Sequence, residues 1–159
     1  MLGSIIGDIV GSRFEWNNIN TKQFKFFHED CSYTDDTVMT CAIAKAILLW
    51  DAEGRLSYER LSELTIEWMR ELGTAYPDSG YGSHFRQWLF DKRMGPYKSC
   101  GNGSAMRVSP VGWAAESLEE CIKMSNAVTQ VTHDHPDGIK GAQATATQIF
   151  FARRGHTIE

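Results

Sequence analysis

Asp35 and Asp36 stand side by side between Thr34 and Thr37 in the stretch SYTDDTVMT (32–40), directly before an apolar helical pattern. One Thr or Asp there serves as a helix N-cap and suits the positive end of the macrodipole. Two adjacent carboxylates exceed what a cap requires, and they repel each other unless exposed or neutralised by a cation. Carboxylates with neighbouring hydroxyls are the oxygen donors that hard divalent cations take. Capping and cation binding are therefore the two readings of the pair. Asp8 and Glu15 in GDIVGSRFE add two more acids, seven residues apart and so on similar faces of a continuous helix. Each reads as a solvated surface acid, or Glu15, at a helix end entering a loop, as a gate or general base.

Two further stretches carry polar chemistry. CGNGSAMR (100–107) sets two glycines and a serine before a helix beginning near 104. Free N–H groups at such a start can cradle a phosphate, and an ordinary turn has the same composition. THDHP (132–136) holds His133 and His135, either a transition-metal pair or histidines ordering a turn before Pro136.

The elements that must position these residues are helical. Val38, Ala42, Ile43, Ala46, Ile47 and Trp50 give helical spacing over 34–50, and Leu61, Leu64, Thr65, Trp68 and Leu72 line one face over 57–72, with Gly73 as a stop signal. Residues 117–129 and 138–153 also read as helices, and no stretch alternates like a strand. Gly3, Gly7 and Gly11 form one stripe on a helix, which predicts close backbone packing against another element or a ligand. The loops 73–84 and 94–104 are rich in Gly, Ser and Pro.

A chain of 159 residues, 42% hydrophobic, suits a single domain over 1–159. Its net charge of −4 and lack of a Lys/Arg run argue against nucleic acid and acidic membranes as partners. The scattered Cys31, Cys41, Cys100 and Cys121 predict free thiols in a reducing compartment. The apolar start MLGSIIGDIVG lacks a basic region and is interrupted by Asp8, so it predicts neither leader nor membrane span, and the protein is expected in the cytoplasm.

The stretches GSIIGDIVGSRFE, YTDDTVMT, GNGSAMRVSPVG and THDHPDGIKGAQA, in this order, resemble the ADP-ribosylglycohydrolase family, the relatives of the dinitrogenase-reductase-activating enzyme. They span almost all of the chain, and the ordered set is specific where only the T-D-D-T context is distinctive singly. The resemblance implies an all-α fold, two Mg²⁺ or Mn²⁺ ions, and hydrolysis of the bond linking ADP-ribose to a modified side chain or related acceptor. It implies that Thr34, Asp35 and Asp36 form the first metal-ligand cluster and that Glu15 is the acid of the loop covering the metals. Glu15, Asp35 and Asp36 are then the catalytic acids. Gly101, Asn102, Gly103 and Ser104 would wall the diphosphate side of the ADP-ribose site, with His133 near the ligand.

Family members are longer and carry a second metal cluster of D-x-D-T type, which this sequence lacks. Asp134 and Asp137 are the nearest acids to a replacement. The expectation is thus the N-terminal portion of the fold without the family's C-terminal helices, holding at most one ion firmly and weakly active or inactive alone. Its partners would be ADP-ribose or an ADP-ribosylated substrate, and a second copy or a missing C-terminal fragment. The alternatives are a catalytically inactive ADP-ribose or nucleotide-binding module and a degenerate, self-associating helical protein.

Overall fold

The computed structural model describes residues 1–157, and among them every regular element is a helix, as expected. The order is α1 (Leu2–Gly11) with a 3-10 turn at Ser12–Phe14, then α2 (Asp35–Ala52), α3 (Tyr58–Ala75) and α4 (Ser83–Phe90). There follow α5 (Gly103–Arg107), α6 (Ser109–Ala114), α7 (Leu118–Thr129) and α8 (Pro136–Ala152).

The long helices start where the sequence supplies a cap. The side chains of Thr34, Ser57 and Ser117 accept from the N–H groups of Asp36, Arg60 and Glu120, and His135 accepts from Asp137 N–H at the start of α8, beside Pro136. α2 lies along α3 and α7 along α8, with α5 and α6 between α2 and α8. Met39, Ile43, Trp50, Leu61, Met69, Trp88 and Met124 are buried between them. Each such side chain contributes roughly 1.5–3 kcal/mol by leaving water, which fixes the start of α2 relative to α5 and α8.

Two glycine expectations are corrected. Gly73 does not stop α3, which runs on to Ala75; a Cβ at Gly73 would lie 2.5 Å from Leu89 Cδ2, so its absence lets α4 close on α3. The stripe of Gly3, Gly7 and Gly11 lies open, with nothing within 4 Å of a Cβ at any of the three. α4 falls partly in a stretch that reads as loop. Its eight residues are too few to display a period, yet they bury Trp88 and Leu89. All four cysteines are free thiols. Among the described residues no helix is long and apolar enough to cross a membrane.

Candidate functional site

Asp8 is not the solvated surface acid the sequence suggests. Its carboxylate accepts four hydrogen bonds from the start of α2: from Thr34 N–H (2.9 Å), Thr34 Oγ1 (2.6 Å), Thr37 N–H (3.1 Å) and Thr37 Oγ1 (2.5 Å). The two threonines that flank the acid pair therefore tie α1 to α2. Thr34 Oγ1 also accepts from Asp36 N–H at 3.3 Å, which leaves the hydroxyl one lone pair. The Asp35 N–H donates to Ser79 O at 2.7 Å, tying the loop before α4 to the same helix end.

Asp35 and Asp36 are half-buried in the first turn of α2. Burial, then Asp36, Glu15 and Asp8, push the Asp35 carboxyl up to about 6. Asp36 is likewise raised, by burial first and then by Asp8 and Glu15. Glu15 ends the turn after α1, is exposed, and acts on both through its charge. Four acids thus share one neighbourhood without a basic partner in the causes of either shift. That is a place a hard cation would neutralise, and the oxygen donors of Asp35, Asp36 and Thr34 fit one. They are a partial set: among the described residues no three His, Cys, Asp or Glu side chains gather closely enough to hold an ion.

A second group of residues borders the same cavity as Asp35. Gly101, Asn102 and Gly103 lead into α5, whose N-cap Asn102 makes no side-chain capping bond. A Cβ on Gly103 would come within 3.3 Å of His133 Cε1 and Nε2, so this glycine admits the imidazole edge. At Gly138 a Cβ would lie 2.7 Å from Ser99 O, so the loop before Gly101 rests directly on α8. Ser104 turns away from the opening, and its buried hydroxyl donates to Gly138 O at 2.8 Å. His133 is 3% exposed, and burial followed by the charge of Arg107 lowers its titration to about 4. His135 separates from it as the cap of α8, so the two histidines do not act as a pair. Asp134 is held by Lys98 N–H and Asp137 is exposed.

One cavity of about 300 Å³ brings these ends together. Asp35, Gly101, Asn102, Gly103 and His133 line it, whereas Thr34, Asp36, Glu15 and Ser104 do not. Its wall also includes residues that motif reading missed: His84, Phe85, Tyr97 and Arg107. The rings of His84 and His133 flank Tyr97 at centroid distances of 6.1 and 6.2 Å. Aromatic side chains inside Gly/Ser/Pro-rich loops, and a lone Arg in the apolar run SAMRVSPVGWAA, were the available signals.

The sequence model of the ADP-ribosylglycohydrolase family matches residues 1–159, and the chain belongs to that family. Its similar proteins include ADP-ribosylhydrolase ARH3 of Xenopus tropicalis, 28% identical over 98% of this chain and 49% of the relative. The Mus musculus ARH3 is 26% identical over 98% and 48%, and the Homo sapiens ARH3 25% identical over 99% and 50%, respectively. The chain spans about half the length of the curated relatives it matches.

Proposed function

We propose that this family member hydrolyses the glycosidic bond joining ADP-ribose to a modified side chain or related acceptor, with Mg²⁺ or Mn²⁺ at the acid pair. The observation that carries this reading is one cavity lined both by Asp35 and by the Gly101–Gly103 turn and His133. Its volume, about 300 Å³, lies at the lower edge of small-molecule sites.

The departing bond is at an anomeric carbon, so its transition state carries oxocarbenium-like positive charge. The Asp35 and Asp36 carboxylates stabilise that charge, and Glu15, exposed and near enough for its charge to act on both, adds to the negative field there. A cation held by Asp35, Asp36 and Thr34 would position ribose hydroxyls and polarise a water. At the other end the uncapped first turn of α5 presents N–H groups to the diphosphate, and the rings of His84, Phe85 and Tyr97 offer the base a stacking surface. Ser104 contributes indirectly by holding the turn against α8.

The incomplete donor set favours a second reading, a module that binds ADP-ribose without turning it over. Cation stoichiometry and ADP-ribose release, measured on one sample of an ADP-ribosylated peptide with Mg²⁺ or Mn²⁺, separate the two. The hydrolase reading expects a bound cation and release, slow for these residues alone. Binding of ADP-ribose with no release at any cation concentration would leave the second reading.

A further inference from the structure

Arg107 is buried to 1% exposure, lines the cavity, and has no acidic side chain among its hydrogen-bond partners. Its Nη2 donates to the Val128 carbonyl at 3.0 Å and to Thr132 Oγ1 at 2.8 Å. Thr132 Oγ1 in turn lies 2.7 Å from His133 Nδ1. A guanidinium can only donate, so Thr132 is an acceptor toward Arg107. Its own proton then has one partner among the described residues, His133 Nδ1. The reverse polarity, Nδ1–H donating to Thr132, would leave a hydroxyl proton fully buried with no acceptor among the described residues.

We propose that Arg107 and Thr132 are positioning residues that lock His133 as a neutral imidazole protonated on Nε2, making the ring a fixed hydrogen-bond donor to a ligand oxygen rather than a proton shuttle. The Nε2 edge is the one that meets Gly103 at the cavity wall, beside the turn assigned to the diphosphate. The ligand part of this proposal rests on the reading of the cavity as an ADP-ribose site. The downward displacement of the His133 titration, caused first by burial and next by Arg107, agrees with a ring that stays neutral. The arrangement also gives the buried cation a use: it orients one hydroxyl proton, and through it the ring.

The test combines the ring nitrogens of ¹⁵N-histidine-labelled protein, observed by long-range proton correlation, with ADP-ribose calorimetry in Mg²⁺ buffer. In the free wild-type protein His133 should be at least about 85% Nε2–H, the roughly fivefold preference that an unpaired buried donor imposes at minimum. Thr132→Ser keeps the hydroxyl and should leave both the ring spectrum and the affinity within about twofold. Thr132→Val should move Nδ1 to the position of an unbonded acceptor and weaken ADP-ribose binding about tenfold, the equivalent of one hydrogen bond. An Nδ1–H ring in the free wild-type protein overturns the relay even if the valine variant does not fold. A valine variant that folds with wild-type Nδ1 shift and wild-type affinity overturns it as well. Failure of the wild-type protein to bind ADP-ribose would remove the ligand reading alone, and the ring spectrum of the free protein would still decide the relay.

Discussion

Asp35 at one end of the cavity and His133 at the other are both displaced from ordinary titration by burial, but in opposite directions. Asp35 rises to about 6, so the folded chain holds a proton that an unfolded carboxyl releases near 3.9. Its contribution to stability therefore falls as pH rises from about 4 through about 6. His133 drops to about 4, whereas an unfolded imidazole takes its proton near 6.5. Its contribution is complete above about 6.5 and is lost as pH falls toward about 4. Burial penalises charge of either sign, and the two ends meet that penalty differently. At the histidine end the ring's Nδ1 is met from within by Thr132, which Arg107 holds in turn. The acid end has Asp8 committed to two threonines and, among the described residues, no basic side chain in the causes that raise Asp35 and Asp36, which is where the proposed cation would act.

The contrast can be broken one end at a time. Asp36→Ala should have the largest effect, weakening Mn²⁺ binding in calorimetry by at least about 100-fold, since partners that only orient a metal ligand already account for 10–100-fold. Equal affinity in wild type and in the Asp35→Ala/Asp36→Ala double variant would remove the cation from the account. Gly138→Ala should break the other end, because its Cβ would press on the Ser99 carbonyl at 2.7 Å. Overpacking of this kind costs about 1–3 kcal/mol, which thermal melting would read as a lower Tm. ADP-ribose affinity should fall with it while Mn²⁺ affinity holds; loss of Mn²⁺ binding in this variant would mean that the ends are not separable. The smallest effect sharpens the titration argument. With chelator at pH 7.5, Asp35→Asn should raise Tm by about 2–4 °C, the shift that roughly 1 kcal/mol produces in a chain of this size. At pH 4 the same substitution should change little, because the wild-type carboxyl is then protonated in the folded state.

Much of the scaffold was legible because its signals are local. α2, α3, α7 and α8 combine a period of buried residues with a cap the sequence displays, such as Ser57 before the Leu61–Leu64 face. α4 was not, since Trp88 and Leu89 reveal their burial only when α3 is beside them. The motif residues Asp35, Gly101, Asn102, Gly103 and His133 do meet in one cavity. The roles of Asp8, Tyr97 and Arg107 depend on contacts made across the fold, from Asp8 to α2 and from Arg107 to Thr132, and no spacing rule carries such information. Ser104 illustrates the same limit from the other side, as a motif residue whose hydroxyl is spent on Gly138.

One ADP-ribose site with a cation at its acid end has a calorimetric signature, read by titrating ADP-ribose into the protein with Mn²⁺ and again with chelator. Linkage requires that a cation which tightens ADP-ribose binding be tightened by ADP-ribose to the same degree. The expected result is ADP-ribose binding that Mn²⁺ strengthens in wild type and in Gly138→Ala, but not in Asp36→Ala. Absence of ADP-ribose binding in the presence of Mn²⁺, or an affinity that chelation leaves unchanged, would contradict it.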